Sequence, residues 1–246
     1  MPKTSGRDTS KRDVAIVIVL VLVAAGLITY LVARPSTQDA ATAQGGDSSA
    51  QGTRTGQQGT NPLADELPRR DENDPFAMGD VDAPVVMVVY SDYRCPFCAK
   101  FSRDTEPELV ERYVDSGVLR IEWRDFPIFG DQSLAAARAG RAAAEQGKFW
   151  DFNHAVYAGV PETSKLDVTP EALLDFARQA GVPDLEKFAA DMEDTRFDAA
   201  IGKDVNEAVT IGATSTPTFV VNGRPILGAQ PLSTFVDTIE EAANEK

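Results

Sequence analysis

The sequence predicts an α/β domain, and three observations predict it. A valine-rich apolar run, APVVMVVYSDY (83–93), leads through a helical pattern into an alternating segment, VLRIEWRDFPI (118–128). That β-α-β order implies a parallel strand pair with a right-handed crossover. Two further strand-like runs, TPTFVVNG and RPILGA, meet at Asn222-Gly223, the strongest short-range signal for a hairpin. Residues between about 131 and 212 read as helical, so the full order is β-α-β, helical insertion, β-β-α.

The 246 residues are 43% hydrophobic, enough for one well-filled core plus extra segments. Lys+Arg 24 against Asp+Glu 38 gives a formal net charge of -14, which argues against general nucleic-acid binding, because that needs a basic surface. Residues 1–13 carry Lys3, Arg7, Lys11 and Arg12 ahead of an uncharged stretch, VAIVIVLVLVAAGLITYLVA (14–33). Such a stretch of about 20 residues, rising about 1.5 Å each, spans the hydrocarbon layer of a bilayer as a helix. The positive-inside rule places 1–13 in the cytoplasm and the rest of the chain outside. The run is longer than the core of a cleaved signal peptide, and the small-x-small site Ala41-Thr42-Ala43 lies far downstream, so an uncleaved anchor is expected. Residues 34–74 are rich in Gly, Ser, Thr, Gln, Ala and Asp without apolar periodicity, and read as a flexible tether. The globular domain is expected over 75–246, in a compartment where disulfides persist.

Within that domain, 83–93 has the continuous apolar character of a strand buried on both faces. The helix expected over 96–117 opens with Pro96 in its first turn, stops at Gly117, and should kink at Pro107. A long alanine-rich helical stretch (133–157) carries Phe149, Trp150, Phe152 and Tyr157, read as core, with His154 at its edge. Thr169 is a cap candidate for a helix over 169–181, with Pro170 and Glu171 behind it. VPDLEKFAADM and TRFDAAIGKDVNEAVTIG supply further helices, and 231–244 closes the domain.

The chemistry sits in SDYRCPFCAKFS (91–102), which holds both cysteines of the chain, Cys95 and Cys98. A structural zinc site needs four ligands, and the only other candidate of its type is the single histidine, His154. A disulfide closing so small a loop adds little stability. Copper(I) carriage by two soft thiolates stays open, although carriers usually hold such a pair on a loop. A redox centre explains the position as well as the spacing. Cys95 stands between a buried strand and a helix start, where unpaired N–H groups and the macrodipole favour thiolate. Cys98 lies one turn on, on the same face, and is expected to be the less exposed, resolving thiol. Asp92 is read as capping the local turn. Pro217 opens a strand, where its missing N–H is tolerated.

Taken together, VVYSDYRCPFC, GKFWDFNHAVY and TSTPTFVVNGRPILGAQPL resemble the thioredoxin superfamily, and more closely the membrane-anchored DsbA-like thiol-disulfide oxidoreductases of Gram-positive bacteria. The resemblance covers 75 to the C-terminus. It implies a thioredoxin fold with an inserted helical domain, Cys95 as nucleophile, Cys98 as resolving cysteine, a cis peptide before Pro217, and Thr216 contacting substrate backbone. The pair Pro96-Phe97 would tune the site. No cofactor is implied beyond the Cys95–Cys98 disulfide, and no metal. The implied partners are reduced or unfolded secreted proteins and a membrane oxidase of the DsbB or VKOR type. The implied activity is donation of the disulfide, with a reductase or isomerase as the alternative within the enzymes and a redox-inactive copper-binding or interaction module outside them. Two positions depart from the family pattern. Phe97 stands where many relatives carry histidine. Val89 stands where many carry a buried acid that assists proton movement at the resolving thiol. Glu122 is a possible substitute for that acid, although its strand position reads more readily as solvent-facing.

Overall fold

The computed structural model describes residues 66–245. The anchor expected at 14–33 and most of the tether lie outside the described residues. Among the described residues, no helix is long and apolar enough to cross a membrane.

Five strands form one sheet: β1 (Ala77–Met78), β2 (Val85–Ser91), β3 (Leu119–Asp125), β4 (Thr218–Val221) and β5 (Arg224–Leu227), in the order β1-β3-β2-β4-β5. β2 and β3 run parallel, from Val85 opposite Leu119 to Ser91 opposite Asp125, as the β-α-β order requires. β4 pairs antiparallel with the other side of β2, which leaves β2 at the centre and buried along its whole length. The β4–β5 turn has both Asn222 and Gly223 at positive φ, 41° and 82°, the conformation that favours these two residues. The Asn222 side chain also ties the turn to β2, accepting from the Val86 amide at 2.9 Å and donating to the Pro84 carbonyl at 3.0 Å. β1 escaped the sequence reading because two residues carry no period.

The helix expected over 96–117 is interrupted. α1 spans Pro96–Asp104, α2 only Glu106–Leu109, and a π-type turn follows at Val110–Val114. Pro107 cannot donate a backbone hydrogen bond, and its ring crowds the carbonyl one turn earlier, so the regular helix is interrupted at Thr105. The helical stretch expected over 133–157 consists of two helices, α3 (Asp131–Ala144) and α4 (Phe149–Gly159), parted at Gly147 with φ 69°. α5 (Pro170–Gln179) starts as expected, with the Thr169 hydroxyl accepting from the Ala172 amide at 3.2 Å. α6 (Leu185–Glu193), a 3-10 turn at Thr195–Phe197 and α7 (Asp198–Thr210) complete the insertion, and α8 (Leu232–Asn244) closes the domain.

The sheet has two different faces. On one, Val85, Met87, Val89, Leu119 and Ile121 pack against Phe101 of α1 and Phe235 and Ile239 of α8. On the other, Val86, Val88 and Tyr90 lie with Leu67 and Ala208, beside a buried charge cluster. Here the sequence reading is corrected twice. Glu122, expected to face solvent, is fully buried. Residues 66–74, expected at the end of the tether, fold over it. The amides of Arg69 and Arg70 donate to the Glu122 carboxylate at 2.9 and 3.0 Å. Arg120 and Arg124 reach it at 3.0 and 2.9 Å, and Arg124 also donates to the Leu67 carbonyl. Burial alone would raise the Glu122 pKa, but these donors overrule it and hold the carboxyl at about 2.

Candidate functional site

β2 delivers the chain to the site through Ser91, Asp92 and Tyr93. The Asp92 carboxylate accepts from the Arg94 amide at 2.8 Å and from the Ile128 amide at 2.8 Å. It thereby caps its own turn and ties the ends of β2 and β3 together. The Cys95 amide donates to the Asp92 carbonyl at 3.0 Å. Cys95 is then the cap residue of α1, with extended backbone and no side-chain cap, and Pro96 follows at the first helical position. Proline suits that position because its missing N–H would be unpaired anyway. The amides of Phe97 and Cys98 remain free to face the Cys95 sulfur.

Both cysteines are free thiols. Exposure does not separate them as expected, since Cys95 is 2% and Cys98 1% exposed. Their chemistry does. The Cys95 thiol lies 3.3 Å from the Thr216 carbonyl oxygen, to which it donates, and the Thr216–Pro217 bond is cis. The structure thus brings Cys95, Cys98, Pro96, Phe97, Thr216 and Pro217 to one place. The Cys95 pKa falls from 9.0 to about 6. A hydrogen bond from the Cys98 thiol is the largest single cause. Burial opposes it, and Thr216 and the amides of Cys98 and Phe97 add to it. The helix terminus therefore contributes but does not lead. The Thr216 hydroxyl is buried without a partner, so it is free to turn toward the thiolate once Cys95 no longer donates. The Cys98 thiol moves the opposite way, pushed well up by burial and then by its place beside Cys95.

Phe97 is 63% exposed, at the edge of a hollow of about 340 Å³ that Lys100, Arg103, Asp104 and Glu162 also line. His154 is elsewhere. It meets Glu106 at 2.6 Å in a recess lined by neither cysteine, and this carboxylate raises its pKa. Phe152 is buried against Tyr93 and Phe188, and Trp150 donates to the Ala77 carbonyl at 3.2 Å, so both serve packing as expected. Glu122 does not reach the site, because its carboxylate is committed on the sheet face away from Phe101 of α1. Among the described residues, no group of three or more His, Cys, Asp or Glu side chains is placed to hold a metal ion.

Sequence reasoning missed two hydroxyls. Ser91 ends a strand that is otherwise apolar, and that one polar position in a buried run was the available signal. Tyr157 read only as one aromatic among several in a helix. In the fold their oxygens lie 2.8 Å apart, both buried, beside Cys98.

The chain matches a family model described as Thioredoxin over residues 71–241. It is 36% identical over 148 residues to the Na(+)/H(+) antiporter NhaA 3 of Salinispora tropica, covering 59% of this chain and 21% of that protein; it therefore spans about a fifth of the antiporter's length. It is 30% identical over 151 residues to the probable disulfide bond formation protein D of Bacillus anthracis, covering 60% of this chain and 69% of that one. Among solved structures, oxidised BdbD from Bacillus subtilis superimposes with a TM-score of 0.65 at 27% identity, covering 69% of this chain and 92% of that chain.

Proposed function

The chain belongs to the thioredoxin family, among its DsbA-like members, and on that premise we propose that it is a thiol-disulfide oxidoreductase donating its Cys95–Cys98 disulfide to secreted proteins as they fold. A substrate thiolate attacks the Cys95 sulfur, the Cys95–Cys98 bond breaks, and the electron pair passes to the Cys98 sulfur. A second substrate thiolate then attacks the substrate's own sulfur in the mixed disulfide and releases Cys95 as thiolate. One observation carries this reading: Cys95 caps α1 with its thiol 3.3 Å from the Thr216 carbonyl beside the cis Pro217, in a setting that holds it at about 6 while burial pushes Cys98 well up. A stabilised Cys95 thiolate favours the reduced protein and makes the disulfide the more oxidising. Thr216 and Pro217 would lie against the substrate backbone, and Pro96 and Phe97 would set the potential.

In this reading residues 14–33 anchor the chain, and the domain faces the outside of the membrane, where reduced secreted chains emerge. A quinone-linked membrane oxidase of the DsbB or VKOR type would restore the disulfide. The test traps the intermediate. In Cys98→Ala a substrate mixed disulfide on Cys95 should persist, and in Cys95→Ala none should form; adducts on Cys98 would reverse the assignment. Direction is tested by measuring the reduction potential against glutathione. A value near about -270 mV, the thioredoxin end of the scale, would favour the reductase alternative.

A further inference from the structure

Opening the Cys95–Cys98 disulfide leaves an electron pair on the Cys98 sulfur, where water has almost no access, since the residue is 1% exposed. A buried thiolate with no donor is strongly disfavoured. The nearby carboxyl groups are engaged elsewhere. Asp92 accepts the amides of Arg94, Ile128 and Phe129, and Glu122 is bound to arginines and to the amides of residues 69 and 70. Val89, on the same strand, offers no polar atom. Two hydroxyls remain.

We propose that Ser91 is a catalytic hydrogen-bond donor to the Cys98 sulfur as the disulfide opens, and that Tyr157 is the positioning residue that turns the Ser91 hydrogen toward it. The inference rests on the oxidoreductase reading above. The Ser91 and Tyr157 oxygens are 2.8 Å apart, and either can donate. The Tyr157 oxygen is also 3.2 Å from the Asp92 carbonyl. If Tyr157 donates to that carbonyl, Ser91 donates to Tyr157 and has nothing for Cys98. If Tyr157 donates to Ser91, the Ser91 hydrogen is free for the sulfur. The two arrangements differ by rotation of two O–H bonds, and no heavy atom moves. The ring of Tyr157 is held by stacking on Tyr93, with centroids 5.6 Å apart and planes at 29°. Burial keeps its phenol protonated, so it remains a neutral donor. Cys98 and Tyr157 belong to one buried cluster, which sets the Ser91 hydroxyl paired with Tyr157 on the interior side of the Cys98 sulfur; that hydroxyl and the Asp92 amide are the smaller influences that favour charge on the sulfur.

Ser91 keeps its proton throughout and only shares it. The proton that finally reaches Cys98 balances the one that the attacking thiol released to water. Because Tyr157 belongs to α4, the helical insertion takes part in the chemistry through this contact.

The test is the single-turnover opening of the Cys95–Cys98 disulfide by glutathione in the detergent-solubilised full chain, read by acid quench and thiol counting. Ser91→Ala should slow it by about tenfold to a hundredfold, the kinetic equivalent of one hydrogen bond to a charged group. Tyr157→Phe should slow it less, and the double variant should be no slower than Ser91→Ala, because the phenol acts only through Ser91. The equilibrium constant with glutathione should change less than about twofold, since Cys98 ends as a thiol in every variant; general structural damage would move it. Opening of Ser91→Ala at the rate of a fast wild type, or losses that simply multiply in the double variant, would overturn the inference and leave the oxidoreductase reading standing. A wild-type disulfide that glutathione opens no faster than it exchanges with its own disulfide would sink both.

Discussion

Replacing Cys98 by alanine should raise the pKa of Cys95, and the structure sets the size of the effect. Cys95 stands at about 6 against an ordinary 9.0, a preference for thiolate of about 4 kcal/mol at about 1.4 kcal/mol per unit. The Cys98 thiol is the largest contributor, ahead of Thr216 and the two amides, with burial working against all of them. A hydrogen bond to a charged group is worth about 1.5–3 kcal/mol, so the variant should titrate about 1–2 units higher. The sign follows from linkage. A depressed acid pKa stabilises the folded, reduced protein fully only above the ordinary value, and the effect vanishes as pH falls through the depressed one. At pH 7, between the two, Cys95 is about nine-tenths ionised and the reduced form gains about 1.4 kcal/mol, or about 30 mV of oxidising strength. The assay is ultraviolet thiolate absorbance against pH, checked by the pH dependence of alkylation rate. A wild-type midpoint near that of a free thiol, or the same midpoint in Cys98→Ala, would refute the reasoning.

Three more outcomes are expected. Phe97→His should lower the Cys95 pKa and raise the reduction potential together, because histidine brings a charge and a hydrogen bond to a position where an exposed phenylalanine offers neither; glutathione equilibration and thiolate titration measure the two. Glu122→Gln should cost about 3 kcal/mol in urea unfolding at pH 7, because it strands buried arginines. The difference from wild type should shrink as pH falls from 4.5 toward about 2, where the wild-type carboxylate takes up its proton and loses the same contacts. Protease added to intact spheroplasts should digest the domain and spare the anchor; protection of the whole chain would place the domain inside.

The parts of the fold that were legible in the sequence are those whose signals are local. Val85–Ser91 reads as a central strand because burial on both faces leaves no polar alternation to interpret. The Asn222-Gly223 turn and the Thr169 cap carry their own stereochemistry. Misreadings arise where a distant segment changes a residue's surroundings. Leu119–Asp125 alternates as a half-exposed strand should, yet it is buried throughout, because residues 66–71 supply backbone partners for Glu122 and Arg124 that no period within the strand announces. The same holds at the site. The cysteine pair and Pro217 are legible as motifs. The Ser91–Tyr157 contact joins residues 66 positions apart, and neither end advertises it.

The polarisation of the two thiols carries a kinetic consequence. In thiol-disulfide exchange the sulfur with the lower pKa leaves faster. In the proposed reaction, when the mixed disulfide is resolved, the leaving sulfur is Cys95, held at about 6, and that step has a good leaving group. When the disulfide is first opened, the leaving sulfur is Cys98, pushed well up by burial, and that step has a poor one. In the proposed direction, the same asymmetry that would strengthen the oxidant loads the barrier onto the opening step. Helix-end amides and the Cys98 thiol already serve Cys95. Assistance at Cys98 has to come from the interior side of α1, and there the structure offers the Asp92 amide and the Ser91 hydroxyl, with Tyr157 behind it.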